Sequence, residues 1–343
     1  MNPLPPTFLS LARISDLPER AVDIRPLPRS EWRAADYVAV EITDDGGGWL
    51  PLELCNGRMS PALTGDRLVG ALGVRHATLE ATGSWEAVAE DGRMHVLTGA
   101  GLLGKLTSKS TFIQDVLSVR YLGHLFPGAR AANMQDYAAR LPAVDFDTPV
   151  ILISGTSMSA GKTTAARVLI RQLKRLGLRV VGAKLTGAGR YKDILAMRDA
   201  GADAVFDFVD VGLPSSIAEP PVFMPALDAL LALIAGVHAD MAVIEIGASP
   251  LEPYNGNFAV HRIRDQIRYN ILCASDPYAV LGVMTAFDLK PDLISGPAVN
   301  TLAGQELVER LCHVRALNLI DPETLPELRE RLAGIEGVRR QMA

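Results

Sequence analysis

Val150-Ile-Leu-Ile-Ser154 runs directly into Gly155-Thr-Ser-Met-Ser-Ala-Gly-Lys-Thr-Thr164, and a helical pattern follows from Ala165 to Leu176. The apolar residues 150–153 predict a buried strand. The small-residue loop ending in Gly161-Lys162-Thr163-Thr164 predicts a phosphate-binding loop, in the context that gives such a motif meaning: a strand before it and a helix after it. Backbone N–H groups of such a loop ring an anion, and the helix N-terminus adds partial positive charge. Gly155, Thr156, Ser157, Ser159, Ala160, Gly161, Lys162, Thr163 and Thr164 are therefore expected to hold the phosphates of a nucleotide. Lys162 would reach the β- and γ-phosphates, and the Thr163 hydroxyl would ligate Mg²⁺.

Working outward, the chain after this loop alternates between the two periods of secondary structure. Strands are predicted at 150–154, 179–185, 204–208, 241–247, 269–274, 292–296 and 316–320, and helices at 163–176, 192–200, 225–237, 277–289 and 302–312. Such βα alternation implies a mostly parallel sheet with helices on both faces, and ligands at the carboxyl ends of the strands. Before the loop the texture differs. Short apolar runs such as Tyr37–Ile42, Arg67–Gly73 and Met94–Gly99 are separated by turn signals, including Asp44-Asp-Gly-Gly-Gly48 before Trp49. They predict a smaller β-rich N-terminal domain over 1–147, with Phe112–Leu122 and Met134–Leu141 more helical. The stretch Pro142–Pro149 reads as the linker to an α/β domain over 148–343.

Composition excludes several classes. The 343 residues are 48% hydrophobic, enough for two domains with sizeable cores. A net charge of −5 gives no general drive toward nucleic acid or an anionic membrane. Cys55, Cys273 and Cys312 are isolated thiols that suit a reducing cytoplasm, with no disulfide framework. The N-terminus lacks the regions of a signal peptide, and the most apolar stretch, Pro225–Gly247, is interrupted by Asp228, His238, Asp240 and Glu245. The six histidines are scattered without zinc-ligand spacing, and no Gly-x-Ser-x-Gly elbow is present.

Three further residues point to the same chemistry. Lys184, at the predicted end of the second strand, could neutralise a second anion beside the loop. Asp193 follows it by nine residues, in a helix's first turn. Glu245 is a carboxylate near the end of an otherwise apolar strand, costly there unless paired or metal-bound, and it suits an acid that holds Mg²⁺ directly or through water. The loop Ser249–Asn257 is long and polar, and Glu252, Tyr254, Asn255 and Asn257 are candidates for substrate contacts. Arg190 and Lys192 could bind an anionic substrate, whereas His261, Arg262, Arg264 and Arg268 could equally form a solvated helix face.

The spacing of the loop carries a resemblance. Five residues separate Gly155 from Gly161, and this Gly-Thr-Ser-x-x-x-Gly-Lys-Thr form resembles dethiobiotin synthetase and the cobyrinic acid amide synthetases. It also resembles a P-loop group related to a D-glutamate N-acetyltransferase. Thr156 stands where MinD-type ATPases carry a lysine, and no Asn-Lys-x-Asp run supports Ras-like guanine recognition. The resemblance spans roughly residues 150–300. It implies a P-loop (SIMIBI-type) fold, Lys184 near phosphates and substrate, and Asp193 with Thr163 and Glu245 as Mg²⁺ partners. It also implies Asn300, in Ile294-Ser-Gly-Pro-Ala-Val-Asn300, as the reader of the nucleobase. By that resemblance the expected activity is MgATP-dependent phosphorylation of a small, carboxylate or amino-acid-like substrate, with Lys162, Lys184 and Glu245 as catalytic groups, in a ligase or kinase. Acyl transfer from acetyl-CoA and a nucleotide-dependent switch or chaperone are the alternatives. A homodimer is implied by analogy with enzymes that build sites at subunit interfaces.

Overall fold

A computed structural model describes residues 5–44, 46, 50–247, 249–287, 290–336 and 338. The chain divides into two compact units that interleave in sequence. The first comprises Met1–Arg140, Ala188–Lys192 and Phe208–Ile217; the second comprises Leu141–Gly187, Asp193–Asp207 and Ala218–Ala343.

The second unit is α/β. Its chain order is β1 (Val150–Gly155), α1 (Lys162–Arg175), β2 (Val180–Thr186), α2 (Tyr191–Asp199, whose first two residues belong to the first unit), β3 (Ala204–Asp207) and α3 (Pro220–Ala235). It continues with β4 (Met241–Ile246), α4 (Gly256–Arg262), β5 (Ile267–Cys273), α5 (Pro277–Ala286), β6 (Leu293–Ser295), α6 (Leu302–Cys312) and α7 (Leu325–Ala333). The six strands are all parallel, in the order β3-β2-β4-β1-β5-β6. Every residue of β1, β2 and β4 is buried, which is why these strands read as continuous apolar runs. From β1 the chain steps to β2 on one side, and from β4 it steps to β5 on the other. Right-handed crossovers in opposite directions put helices on opposite faces of the sheet. They also leave a crevice at the strands' carboxyl ends where the direction reverses, beside β1. Helix α1 buries Ala165, Ala166, Leu169, Ile170 and Leu173, a face repeating at three and four residues.

Several boundaries in this unit differ from the sequence reading. Helix α3 begins at Pro220, not 225, because Pro220 and Pro221 occupy the first turn, where a missing N–H costs nothing. The expected strand at 316–320 forms a single bridge, Ile294 to Ala316, because the chain then turns at Asn318, whose C=O accepts the Asp321 N–H at 3.0 Å. The helix expected at 277–289 ends at Ala286; Asp288 and Leu289 lie outside the described residues.

An ion-pair network ties the end of this unit together. Arg315 holds Glu309 of α6 at 2.7 Å and Glu327 of α7 at 2.6 Å, and Arg331 adds to Glu327. Hydrogen bonding from Arg315 holds the Glu327 carboxyl down at about 2. A depressed folded-state pKa contributes stability above the ordinary carboxylate range, and that contribution is lost as pH falls through about 2. Glu327→Gln should therefore lower stability at neutral pH by about 1 kcal/mol or less, since the pair is a third exposed and screened. In urea titrations the wild type and variant should converge in strong acid.

The first unit is β-rich. Arg67–Leu72 pairs with Tyr37–Asp44, which pairs with Ser118–Phe126, then Arg93–Thr98, then Leu102–Lys109, which returns to pair with Arg67–Leu72. The ring is closed, so these five strands form a barrel. Val38, Val40 and Ile42 alternate into its core with Leu68, Leu72, Met94, Val96, Leu103 and Val119. The expected helical character at its end is not found. Ser118–Phe126 is a strand, and Met134–Asp136 is a single 3₁₀ turn whose N-cap is Asn133. Of the turn expected at 44–49, Asp45, Gly47, Gly48 and Trp49 lie outside the described residues. Within this unit the fully buried Glu53 accepts the N–H groups of Tyr191 at 2.7 Å and Lys192 at 2.8 Å, as well as the Ser10 hydroxyl.

Candidate phosphate and metal site

The loop between β1 and α1 is held from the neighbouring strand β5. Thr156 N–H donates to the Cys273 C=O at 3.0 Å, and Ser275 N–H donates to Thr156 Oγ1 at 3.1 Å. Gly161 caps α1 at φ +92°, a left-handed conformation that favours glycine. Lys162 folds back over Gly155, where a Cβ would stand 2.8 Å from its Cδ, and its Nζ donates to the Ser157 C=O at 2.6 Å. Ala160 and Ser157 are buried, Ser159 and Thr164 exposed. Ser157 Oγ is buried with no hydrogen-bond partner among the described residues.

Charge enters from the sheet. In the parallel register Lys184 of β2 lies directly beside Asp207 of β3 and beside Glu245 of β4, and Glu245 lies beside Ile153 of β1. Residues opposite each other across parallel strands share a face, so Asp207, Lys184 and Glu245 form one row at the carboxyl ends. Lys184 Nζ donates to Asp193 Oδ2 of α2 at 2.5 Å, and Thr163 Oγ1 of α1 donates to Glu245 Oε2 at 3.2 Å. Lys162, Lys184 and Glu245 are each no more than 6% exposed.

Burial dominates the electrostatics. It lowers the Lys162 pKa, against the weaker pull of Glu245. It also opposes charge on Lys184, but there Asp193 and then Glu245 outweigh it, and the net shift is upward. Burial pushes Glu245 up, against the cations Lys184 and Lys162. The site is thus a dry, mixed-charge cluster, in which each ion depends on the others.

The residues singled out in the sequence fall into three groups. The loop residues 155–164, Lys184, Asp193 and Glu245 come together. Asp193 meets Lys184 in this arrangement. Asn300 is exposed and ends the turn Pro297–Val299, four residues after Gly296. Arg190 and Lys192 belong to the first unit, and Tyr254 is fully buried. Two features were not read in the sequence. Asp207 is fully buried in the charged row; its signal was an acid closing a short strand, Ala204-Val-Phe-Asp207. Gly296 packs its loop on the phosphate loop: a Cβ there would lie 2.4 Å from the Ala160 C=O, at φ +92°. Gly296→Ala should cost about 1–3 kcal/mol in denaturant unfolding and weaken nucleotide binding, because backbone must move against backbone. An unchanged midpoint would mean that the two loops can separate freely.

A threonine hydroxyl against a carboxylate is a hard-oxygen pair that fits Mg²⁺, which takes few protein ligands and completes its shell with phosphate oxygens and water. Among the described residues no group of three or more His, Cys, Asp or Glu forms a protein-only metal cage. No helix among them is long and apolar enough to cross a membrane.

The parallel sheet, the loop from β1 into α1 and the acid on the adjacent β4 give the second unit a P-loop NTPase fold. No family model matches the sequence. Among solved structures, the chain is similar to HypB from Helicobacter pylori in complex with nickel, at 18% identity over 57% of this chain and 89% of that one, TM-score 0.38. Hydrogenase maturation factor HypB from Archaeoglobus fulgidus matches at 15% identity over 55% and 90%, TM-score 0.36. A ParA family ATPase from Chlorobium tepidum matches at 12% identity over 57% and 97%, TM-score 0.31.

Proposed function

We propose that the α/β unit binds a nucleoside triphosphate with Mg²⁺ and transfers its γ-phosphoryl group to a small carboxylate-bearing substrate, as a ligase or kinase does. The observation that carries this reading is the pairing of Thr163 with Glu245 beside two buried lysines, Lys162 and Lys184. A loop that held only the pyrophosphate of a thioester cofactor would need the N–H ring. It would have no use for a buried carboxylate at the metal position. Mg²⁺, when bound, would supply neutralisation of phosphate charge. Thr163 and Glu245 would hold it, while Asp193 accepts the hydrogen bond of Lys184.

The chain's own groups do the rest by positioning. Lys162 exchanges its bond to the Ser157 C=O for phosphate oxygens. Lys184, kept charged by Asp193, faces the negative charge that spreads over the transferring group. An acceptor oxygen forms the new bond to phosphorus as the bond to the bridging oxygen breaks, with its electron pair leaving on the nucleoside diphosphate. Asn300 would select the base, its amide offering both a donor and an acceptor.

Thermal unfolding of the wild type with MgATP, MgGTP and acetyl-CoA tests the reading. A ligand that binds only the native state stabilises it by about 2.7 kcal/mol at roughly a hundredfold excess over Kd. A Mg²⁺-dependent upward shift with a nucleoside triphosphate is the expected result, and the better of ATP and GTP names the donor. A shift with acetyl-CoA alone would replace phosphoryl transfer by acyl transfer.

A further inference from the structure

The chain that leaves the carboxyl end of β4, the strand bearing Glu245, forms part of the wall of a cavity. Residues 250–257, α4 and its following turn, and the end of α5 enclose a cavity of about 570 Å³. That is in the range of small-molecule sites, roughly 300–1,000 Å³. Its walls have a polarity of their own. Leu251, Val260 and Phe287 are apolar, whereas Asn257, His261 and Arg264 supply N–H donors. Among the described lining residues Glu252 is the only carboxylate. His261 closes the last turn of α4 and Arg264 opens the 3₁₀ turn three residues later, both exposed to the cavity's solvent.

The cavity also adjoins the strand that bears Glu245. Gly256, between the lining residues Asn255 and Asn257, packs on Ile246, the residue after Glu245: a Cβ there would lie 3.1 Å from Ile246 Cγ2. An acceptor bound in the cavity would lie at the carboxyl end of β4, where such sheets hold their ligands.

We propose that this cavity is the acceptor site and that it takes a small organic acid, seated with its carboxylate on Arg264 and His261. A planar guanidinium matches a carboxylate with two parallel hydrogen bonds, and the imidazole adds a third donor. Leu251 and Phe287 flank the acid's carbon skeleton. The proposal deepens the phosphoryl-transfer reading and rests on it for the cavity's role.

The test is thermal unfolding of the full chain with two independent sets of probes. One is MgATP. The other is millimolar acetate, succinate, citrate and glycine, each against sodium sulfate at matched ionic strength. Wild type should be stabilised by at least one organic acid beyond the sulfate control. Arg264→Ala should need about tenfold or more of that acid for the same shift, yet keep its full response to MgATP. Lys162→Ala should do the reverse. His261→Ala is the second variant, so that a poorly folded Arg264→Ala does not decide the matter. The proposal is overturned if no acid exceeds the control, or if both cavity variants respond as wild type does. If MgATP leaves wild type unshifted, the nucleotide reading fails separately, and the acid series still reports on the cavity.

Discussion

Lys162→Ala is expected to lower nucleotide-driven turnover by about 10²–10³-fold while the chain keeps its fold. The magnitude is that of removing one preorganised donor from a site where charge develops in a water-excluded setting. Lys162 meets those conditions: its ammonium is buried, sits at the first position of α1 and is anchored on the Ser157 C=O at 2.6 Å. Folding should survive because the side chain fills the space over Gly155 rather than the sheet's core. A buried cation is itself a cost, so its removal offsets part of the lost packing. Release of the nucleoside diphosphate, the MgATP thermal shift and far-ultraviolet circular dichroism together check the result. Turnover equal to wild type, in a variant with a native spectrum, would remove phosphoryl transfer at this loop.

Glu245 should give the second large effect, and its two substitutions should separate charge from metal. Glu245→Ala leaves Lys184 and Lys162 without the carboxylate between them. Lys184 keeps its ion pair with Asp193, but the Thr163 hydroxyl loses its acceptor and both buried cations lose a facing negative charge, so this variant should unfold more readily, by about 1–3 kcal/mol. Glu245→Gln keeps the volume and a partner for the Thr163 hydroxyl, and should fold. It should lose activation by Mg²⁺, with turnover down by about 10²-fold, while still binding metal-free ATP, because one negative charge has left a site built for phosphate. Titrating Mg²⁺ at fixed ATP reads this directly. A Glu245→Gln protein with the wild-type Mg²⁺ dependence would show that the metal is held elsewhere.

How much of this was visible in the sequence depended on which pattern each element left. The parallel strands were legible because burial on both faces removes alternation, and Val150–Ile153 or Met241–Ile244 cannot be read otherwise. The loop and Lys162 were legible because strand, glycine spacing and helix all lie in one stretch. Ser118–Phe126 reads as helical because its pairing with Tyr37–Asp44 shifts register at Ser118/Val119 and again at Tyr121/Gly123, which breaks the period of two that marks a strand. The turn at Met134–Asp136 was overextended because its capping box, Asn133 with Asp136, is a helix-start signal that nothing sustains. Asp207 was missed for another reason. A buried acid gains meaning only from what lies beside it, and that depends on alignments between strands far apart in the chain.

That alignment has a bearing on assembly of the sheet itself. Three strands each carry one ion at the same height, Asp207, Lys184 and Glu245, and only the native stagger sets opposite signs side by side. Slipping β2 by a single residue would turn Lys184 to the far side of the sheet and leave two carboxylates facing hydrocarbon. Apolar strands such as Val180-Val-Gly-Ala183 offer little else to distinguish one stagger from the next. The ions of this row, two of them assigned to phosphate chemistry, thus double as a vernier, penalising a mispaired sheet before any nucleotide arrives.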